Sequence, residues 1–423
     1  MTPSRQKGAA LLLTFLLLFT LSSAYLVSKL TAKTAQSAGT ATKTNQALAE
    51  AKQALIAWSV ANGTDSGMAR PGELPCPDRN VPGSANEGTA GTGGVAACTT
   101  TGSRIGRLPW KTLGLAKTVD GAGNTLWYAV SPNFRQASQG NEPPINSNTV
   151  GTLLVYDASG TLLTPSGEEA AAVIIAPETP VGGQSRNNTT AANQYLEGMT
   201  VNGNSGNNAN GTGPFIAGPV GDGSKLNDRI VYITARELLN AVEQRVFLVA
   251  QEFLNTKRFL PPAAPTTCTA NRGSIATGTS YCAYTANSCI GRVPDGDTTI
   301  SLWGGVPQWF ADNGWGRNMV WANGNISGCT NPIVSGTSSW SMVLLTPGPS
   351  LSGTRAAPPT SATMRLFLED VANQDVFANG AAGGPPASTF TIPTRGGSNN
   401  DRMACYNKVQ TCWNSCVSTP ACP

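Results

Sequence analysis

The segment TARELLNAVEQRVFLVAQEFLN (residues 234–255) has the pattern of a long amphipathic helix. Thr234 and Glu237 form a capping-box pair at its start. Steps of three and four, the spacing that lines one face of a helix, separate the apolar residues Leu239, Val242, Val246, Val249 and Phe253. We therefore expect a helix here that packs one apolar face against other elements.

A second segment of the same kind, ALAEAKQALIAWSVAN (residues 47–62), indicates an internal repeat. Short motifs recur after both helices in the same order: GRLP (106–109) and GRVP (291–294), DGAGNTLWYAV (120–130) and DNGWGRNMVWA (312–322), AAVIIAP (171–177) and SMVLLTP (341–347), QSR (184–186) and GTR (353–355), QYLEG (194–198) and LFLED (366–370), NDRIVYI (227–233) and NDRMACY (400–406). Each pair is weak alone, but their common order indicates two copies of one module.

Each module is expected to contain a helix, a proline-rich turn, a cysteine-bounded loop and then strands, because VIIAP and VLLTP are short apolar runs typical of buried strands. The predicted fold class is therefore α+β, with a long N-terminal helix carrying two duplicated helix-on-antiparallel-sheet heads. That helix would have a membrane half and an amphipathic half. The predicted domains are a leader (1–8), a transmembrane or fibre-core helix (9–33), a first head (34–233) and a second head with a cysteine-rich end (234–423).

The N-terminus combines a basic start with an apolar run. Arg5 and Lys7 precede a stretch from Ala9 to Val27 that has no charged residue. A helix rises about 1.5 Å per residue, so this stretch is long enough to cross a bilayer core. A secretory signal peptide cut after Ala24 would have the same pattern. A plain membrane anchor is a third interpretation.

Composition excludes several classes of function. Charged residues make up 12% of the 423 residues, about half the ~25% usual for soluble domains. With 28 basic and 24 acidic residues the net charge is +4, and the absence of a basic block argues against nucleic-acid binding. The chain has no histidine, which excludes histidine-dependent catalysis. A turn-rich protein outside the cytoplasm fits this composition.

The ten cysteines indicate disulfides, because an exported chain would be oxidised. Cys76 and Cys98 bound the loop of the first module, and Cys268 and Cys289 occupy the corresponding places in the second, so we expect both pairs. We also expect Cys329 to pair with Cys405 between strands. The closing segment would bond within itself through Cys412, Cys416 and Cys422. A thiolate zinc site, the alternative, lacks paired Cys-x-x-Cys knuckles; it would use Cys405, Cys412, Cys416 and Cys422.

The leader ending in Lys7-Gly8, directly before the apolar run, resembles the class III signal of type IV pilins and type II secretion pseudopilins. The resemblance implies cleavage after Gly8 by a prepilin peptidase, methylation of the new N-terminus at Ala9, and retention of the apolar segment. Most pilins carry glutamate at the fifth mature position, where it pairs with the terminal amine of a neighbouring subunit. Here that position is Leu13, which the resemblance links to a minor subunit at the fibre tip.

The second module also resembles the pseudopilin motif Asp-x-Trp-Gly-x-Pro-x-x-Tyr, through Asp312, Trp315, Gly316 and Trp321. Asp120, Gly123 and Tyr128 match it less closely in the first module. Several heads of this family bind calcium, so the resemblance makes Asp295 and Asp297 candidate oxygen ligands. Asp120 with Asn124, and Asp222 with Asp228, are further candidates. Turn formation is the alternative role for each of them.

The resemblance predicts a non-enzymatic minor pilin or pseudopilin that primes or caps a type IV pilus or a type II secretion pseudopilus from its tip. Its partners would be other pilins or pseudopilins, the prepilin peptidase and the inner membrane before assembly, with no nucleic acid. It would move from the inner membrane, with periplasmic heads, to the cell surface or an extracellular fibre. Calcium is the one cofactor suggested. A surface or pilus-tip adhesin, whose second head binds a ligand through clustered tryptophans, and an exported enzyme with a cleaved signal peptide are the alternatives.

Overall fold

The computed structural model describes residues 38–61, 70–93, 98–136, 143–187, 189–257, 282–283, 289–293, 308–324, 329–336, 340–351, 355, 366–379, 389–393, 399–407 and 412–416. Its helices are α1 (residues 38–61), α2 (Ala235–Lys257), α3 (Gln308–Asp312) and α4 (Val371–Asn379). The helix expected from the segment 234–255 is α2. Its start is capped as the sequence indicates, because the Thr234 hydroxyl accepts the backbone N–H of Glu237 (3.1 Å).

The strands of the first module precede α2. They are β1 (Ile105–Arg107), β2 (Trp127–Val130), β3 (Val155–Tyr156), β4 (Ala170–Ala176), β5 (Gly198–Val201), β6 (Asn204–Asn207), β7 (Phe215–Ile216) and β8 (Arg229–Thr234). An antiparallel sheet has the order β1-β2-β4-β8. Strands β3 and β7 form a parallel pair, and β5 and β6 form an antiparallel hairpin.

The strands of the second module follow α2. They are β9 (Cys282–Ala283), β10 (Ile290–Arg292), β11 (Val320–Asn323), β12 (Ile333–Val334), β13 (Met342–Thr346), β14 (Thr389–Phe390), β15 (Arg402–Asn407) and β16 (Cys412–Asn414). A six-stranded antiparallel sheet has the order β16-β15-β13-β11-β10-β9. Strands β12 and β14 form a parallel pair.

The repeated motifs fall on corresponding strands of the two sheets. The order β1-β2-β4-β8 matches β10-β11-β13-β15, and every pairing is antiparallel. In register, Gly106, Tyr128, Ile174 and Val231 correspond to Gly291, Trp321, Leu344 and Ala404. If DGAGNTLWYAV and DNGWGRNMVWA are aligned from their first residues, Tyr128 matches Val320. The strand register instead matches Tyr128 with Trp321, one residue further along.

Helices α1 and α2 lie side by side and run in the same direction. Lys52 Nζ of α1 is 2.8 Å from Glu237 Oε2 of α2. Further along both helices, Arg245 donates to the backbone carbonyls of Val60 and Ala61, the latter at 2.9 Å. Arg245 therefore ties α2 to the last described turn of α1.

One hydrophobic core contains both helices and one face of each sheet. Its buried members include Leu48, Leu55, Leu239 and Val242 from the helices, and Tyr128, Ile174, Trp321 and Leu344 from the sheets. Polar contacts also join α2 to both modules. Arg236 pairs with Glu168 of the first (2.6 Å), and Arg402 of β15 donates to the Asn240 carbonyl (2.6 Å). The two modules therefore share a core.

The opposite face of each sheet is buried as well. In the first module Trp127, Val173 and Ile175 pack with Leu153, Val155 and Phe215. In the second, Val320, Val343 and Leu345 pack with Val334, Phe377 and Phe390. Burial on both faces explains why the central strands are continuous apolar runs rather than alternating ones.

The predicted fold class is wrong. The expected α+β fold placed two separate helix-on-antiparallel-sheet heads on one long N-terminal helix; the described ranges instead form several sheets around one shared helix pair. In the described ranges, no helix is long and apolar enough to cross a membrane. The predicted membrane half (9–33) and leader (1–8) lie outside those ranges. Amphipathic periodicity identifies an apolar helix face but not which sheets cover it, so the sequence suggested two separate heads.

The shared core predicts unequal costs for the same substitution at two sites in α2. Leu239 is fully buried in the core, whereas Leu248 is 58% exposed. We expect Leu239→Ala to lower the free energy of unfolding by about 2–5 kcal/mol because it leaves a cavity. Leu248→Ala, the matched control, should change it by less than about 0.5 kcal/mol. Guanidinium unfolding of the full chain, followed by tryptophan fluorescence, measures both. Equal effects would contradict the shared core.

Candidate functional site

Each module brings an arginine, an aromatic ring, a glutamate and an aspartate together beside its last long strand, and the aspartate is fully buried in both modules. All of these residues belong to the repeated motifs. The first cluster is Arg186, Tyr195, Glu197 and Asp228, and the second cluster is Arg355, Phe367, Glu369 and Asp401. The two groups occupy corresponding places in the two modules.

The first cluster ties the long connection between β4 and β8 to the start of β8. The Arg186 guanidinium lies 5.3 Å from the centre of the Tyr195 ring and donates to the Tyr195 carbonyl (3.0 Å). The backbone N–H of Glu197 donates to Asp228 Oδ2 (3.0 Å), and the N–H of Asn227 donates to Glu197 Oε2 (3.1 Å). Glu197 of the connection and the pair Asn227 and Asp228, directly before β8, thus hold each other in place.

The second cluster repeats this plan between β13 and β15. The Arg355 guanidinium lies 5.2 Å from the centre of the Phe367 ring, and its Nη2 is 3.7 Å from Glu369 Oε1. The N–H of Glu369 donates to Asp401 Oδ2 (3.0 Å), and the N–H of Asn400 donates to Glu369 Oε2 (3.2 Å). The reciprocal hydrogen bonds match those of the first cluster one for one.

Burial and the neighbouring glutamate change the protonation of both aspartates. Burial first, and then the charge of Glu197, raise the pKa of Asp228 well above its ordinary value. Burial also raises the pKa of Glu197. In the second cluster, burial and then the charge of Glu369 raise the pKa of Asp401 to about 9. Two adjacent carboxyls out of water disfavour ionisation of both, so the folded state favours the protonated form of each aspartate.

These clusters can stabilise the fold but are not placed for catalysis. A general acid or base must reach the atom whose proton it transfers. Asp228 and Asp401 are both 0% exposed, and their hydrogen bonds go to their own module. Each cluster therefore works as a latch that fixes a long connection to the last strand.

A further buried ion pair lies in the first cysteine-bounded loop. Asp78 Oδ2 accepts the backbone N–H of Gly88 (2.9 Å) and lies 3.3 Å from Arg107 Nη2. Gly106, which directly precedes Arg107, also lies against this loop. A Cβ added at Gly106 would lie 2.6 Å from the Asp78 carbonyl oxygen. This close approach explains why the GRLP motif has glycine there.

The residues expected for processing and for calcium are not all described. Gly8, Ala9 and Leu13 lie outside the described ranges, and so do Asp295 and Asp297. Cleavage, methylation, the tip position and a calcium site at these aspartates therefore stay predictions.

Three further calcium candidates have other hydrogen-bond partners. Asp120 accepts the backbone N–H groups of Asn124 and Glu178, both at 2.8 Å. Asp222 accepts the N–H of Ser224 (2.9 Å), and Asp228 belongs to the first cluster. Within the described part of the chain, no group of three histidine, cysteine, aspartate or glutamate residues could hold a metal ion. These aspartates organise turns and the first cluster.

The described disulfides of the second module join cysteines in or near paired strands, rather than repeating the pairing of the first module. Cys76 bonds to Cys98, the pair that the loop boundaries suggested. The expected Cys268–Cys289 pair is wrong, because Cys289 bonds to Cys329. Cys289 directly precedes β10, and Cys329 follows its neighbour β11, so the two come within 5.5 Å at Cα.

Two other cysteine expectations are also wrong. Cys405 bonds to Cys416 rather than to Cys329, with a Cα separation of 5.0 Å. The pairing of β15 with β16 places Cys405 opposite Asn414, two residues before Cys416. Cys416 is therefore tied to β15 and not only within the closing segment. Cys412 is also disulfide-bonded, whereas Cys268 and Cys422 lie outside the described ranges.

The tryptophans suggested for sugar stacking are core residues wherever they are described. Trp315, Trp321 and Trp340 are at most 1% exposed, and Trp309 is 9% exposed. Trp303 lies outside the described ranges. A stacking platform needs open ring faces, which these four side chains lack.

Sequence reasoning missed both clusters, although it had found the motifs that contain them. The signal was a charged residue recurring at the same place in paired motifs. Arginine ends QSR and GTR, glutamate follows the aromatic in QYLEG and LFLED, and aspartate is second in NDRIVYI and NDRMACY. Charges that recur beside buried strands predict a buried charged cluster, since isolated buried charges are costly.

The second cluster predicts a pH-dependent stability. The pKa of Asp401 is about 9 in the folded chain against 3.8 as the ordinary value. Between these values the folded state binds the extra proton, so stability falls as pH rises. Asp401→Asn keeps the size and a hydrogen-bond donor but cannot titrate. We expect the melting temperature of the variant to rise relative to that of the wild type as the pH goes from 5 to 9. The difference in free energy of unfolding should change by at most about 1.4 kcal/mol per pH unit.

A matched control is Asp222→Asn, because Asp222 is exposed and the hydrogen bonds from Ser224 lower its pKa. It should leave the pH dependence between pH 5 and pH 9 unchanged. Asp228→Asn should behave like Asp401→Asn. If the melting temperatures of the wild type and Asp401→Asn differ by the same amount at every pH in this range, Asp401 holds no extra proton in the folded state.

Comparisons with known proteins give no match. No protein-family model matches the chain. No curated protein and no solved structure matches it either. The function is therefore inferred from the residues and the geometry of this chain alone.

Proposed function

We propose that this protein is a non-enzymatic, pilin-like minor subunit of a type IV pilus or a type II secretion pseudopilus. The observation that carries the proposal is the N-terminal sequence. A basic leader ends in Lys7-Gly8, and a run without charge extends from Ala9 to Val27. This junction resembles the class III signal, whose processing retains the apolar segment for membrane insertion and later assembly.

The closed packing of the described residues supports a structural role. The cleft between the modules, lined by residues that include Asn148, Arg236 and Pro349, has a volume of about 10 Å³. That is room for about one water molecule, so this cleft gives no support for a ligand site between the modules. The aspartates of both carboxyl clusters, Asp228 and Asp401, are fully buried as well, which favours a structural role for these two clusters.

The disulfides support export. The described residues include the pairs Cys76–Cys98, Cys289–Cys329 and Cys405–Cys416. Such bonds persist in the periplasm and outside the cell rather than in a reducing cytoplasm. The proposed route is therefore from the inner membrane, with the folded part in the periplasm, to the cell surface or an extracellular fibre.

A tip position is part of the proposal and depends on Leu13. A leucine there cannot form the carboxylate–amine pair that links successive subunits in the family's fibres. A subunit without this pair is best placed where it has a neighbour on one side only. Its partners would be other pilins or pseudopilins and, before assembly, the prepilin peptidase.

The adhesin alternative gains no support from the described tryptophans, which are buried. A binding test of that alternative has to use the full chain. Residues 234–423 share their core with α1 and the first sheet, so this segment alone would expose apolar surface that the full chain buries.

The proposal predicts the mature N-terminus. Mass spectrometry of the protein from its native host membrane should find a chain that starts at methylated Ala9. Gly8→Val should block cleavage and leave the chain starting at Met1, because the peptidase reads the residue before the cut. Ala24→Leu, which would block a conventional signal peptidase, should have no effect. A wild-type chain starting at Tyr25 would contradict the proposal.

A glycine control separates loss of the signal from loss of the fold. Gly39 lies in α1 and is exposed, and a Cβ added there meets no atom within 4 Å. Gly39→Ala should therefore be processed like the wild type. Failure of processing in Gly39→Ala would mean that cleavage responds to folding rather than to the Gly8-Ala9 junction.

A further inference from the structure

Within the described residues, one hydrogen-bonding edge of strand β8 has no partner strand. On one side it pairs with β4 along its whole length. On the other side, no described residue pairs with the backbone of residues 229–234. The opposite edge of the same sheet is covered, because Asp78 and Arg107 exchange two backbone hydrogen bonds (2.8 and 2.9 Å). As far as the chain is described, the first sheet is therefore covered at β1 and open at β8.

The second module shows what occupies this place. Its corresponding strand, β15, carries β16 on the equivalent edge, where Cys405, Tyr406 and Asn407 lie opposite Asn414, Trp413 and Cys412. By register these three β15 residues correspond to Tyr232, Ile233 and Thr234. The three β15 residues are buried, whereas Tyr232 and Thr234 are half-exposed. The second module thus shows that an antiparallel strand fits this edge.

The side chains of β8 suit pairing on both faces. Ile230 and Tyr232 pack partly against the outer cluster of the first sheet, and Val231 packs partly against the shared core. Edge strands of monomeric proteins usually carry lysine, proline or a bulge that prevents pairing. The single charged side chain of β8 is Arg229, and Glu178 neutralises it at 3.3 Å. The edge is apolar and uncharged overall.

We propose that β8 pairs antiparallel with β8 of a second copy of this chain, about a twofold axis at Val231. This joins two four-stranded sheets into one continuous sheet. Val231 then lies opposite its own copy, and Ile230 lies opposite Tyr232, so partners share a face. A slip by one residue would place Val231 of one copy opposite Tyr232 of the other. These two side chains point to opposite faces of the sheet, so the slipped register would mix the two faces.

Charge and symmetry favour a second copy as the occupant. In this register Arg229 lies opposite Ile233 and about 14 Å along the strand from the other Arg229, at ~3.4 Å per residue. Like charges are therefore kept apart. A twofold contact uses the same patch twice and closes after two subunits, so it does not propagate into aggregates. The inference does not depend on the proposed function.

Register-specific cysteine crosslinking of the full chain in detergent tests the proposal. Under mild oxidation, Val231→Cys should give a reducible dimer of twice the chain mass. Ile230→Cys and Tyr232→Cys should each give little dimer alone and a clear dimer when the two variants are mixed. Leu248→Cys is the control, because it is 58% exposed on α2 and away from β8. Peptide mapping identifies the bonded cysteines.

Three results would overturn the proposal. One is a Val231→Cys dimer no more abundant than the Leu248→Cys dimer. Another is equal dimer from Ile230→Cys, Val231→Cys and Tyr232→Cys, each tested alone. The third is a Val231→Cys product with a chain of different mass, which would mean that a strand of another protein occupies the edge. Sedimentation of the unmodified chain, expected as a dimer, provides a measurement that needs no variant to fold.

Discussion

The pairing of α1 with α2 is the contact on which the rest of the molecule depends. Both helices and one face of each sheet contribute to a single buried core. Helix α2 has a double role, because Arg236 binds the first module and Asn240 binds the second. Apolar burial, at about 25 cal/mol per Å², is therefore shared between the modules. If the sheet of one module moved away from the helix pair, apolar surface of the other module would be exposed.

The twin carboxyl clusters solve the same problem in each module. A long connection leaves the central strand and must return to the last strand without fraying. In both modules the returning segment is fixed by a glutamate whose N–H binds an aspartate at the strand and whose carboxylate accepts from an asparagine there. Because these groups are buried beside a second carboxyl, the pKa of Asp228 and that of Asp401 are raised, which favours the uncharged form of each aspartate. The latch thus depends on pH where an apolar contact would not.

The two modules differ most at the edge of the last strand. In the second module β16 covers β15 and is held by the Cys405–Cys416 disulfide, while Trp413 contacts Tyr406 with ring centres 5.4 Å apart. In the first module the chain turns from β8 directly into α2, so it has no residues left with which to form such a hairpin. Continuity of the chain through the shared core therefore leaves β8 available for intermolecular pairing. A structural subunit that assembles with others can use such an edge, whereas a monomeric enzyme would have to protect it.

The sequence by itself determined the features that depend on near neighbours. Helix α2 and its Thr234 cap, the strands at VIIAP and VLLTP, the order of the repeated motifs and the Cys76–Cys98 loop all follow from local periodicity, capping chemistry or short spacing. The tertiary structure alone decided the shared core, the partners of Cys289 and Cys405, and the meeting of Arg355 and Glu369 with Asp401. Each of these joins residues far apart in the chain, and periodicity shows that a face is apolar without showing what covers it. Two copies of a module can form two cores or one, and only the packing of α1 against α2 selected one.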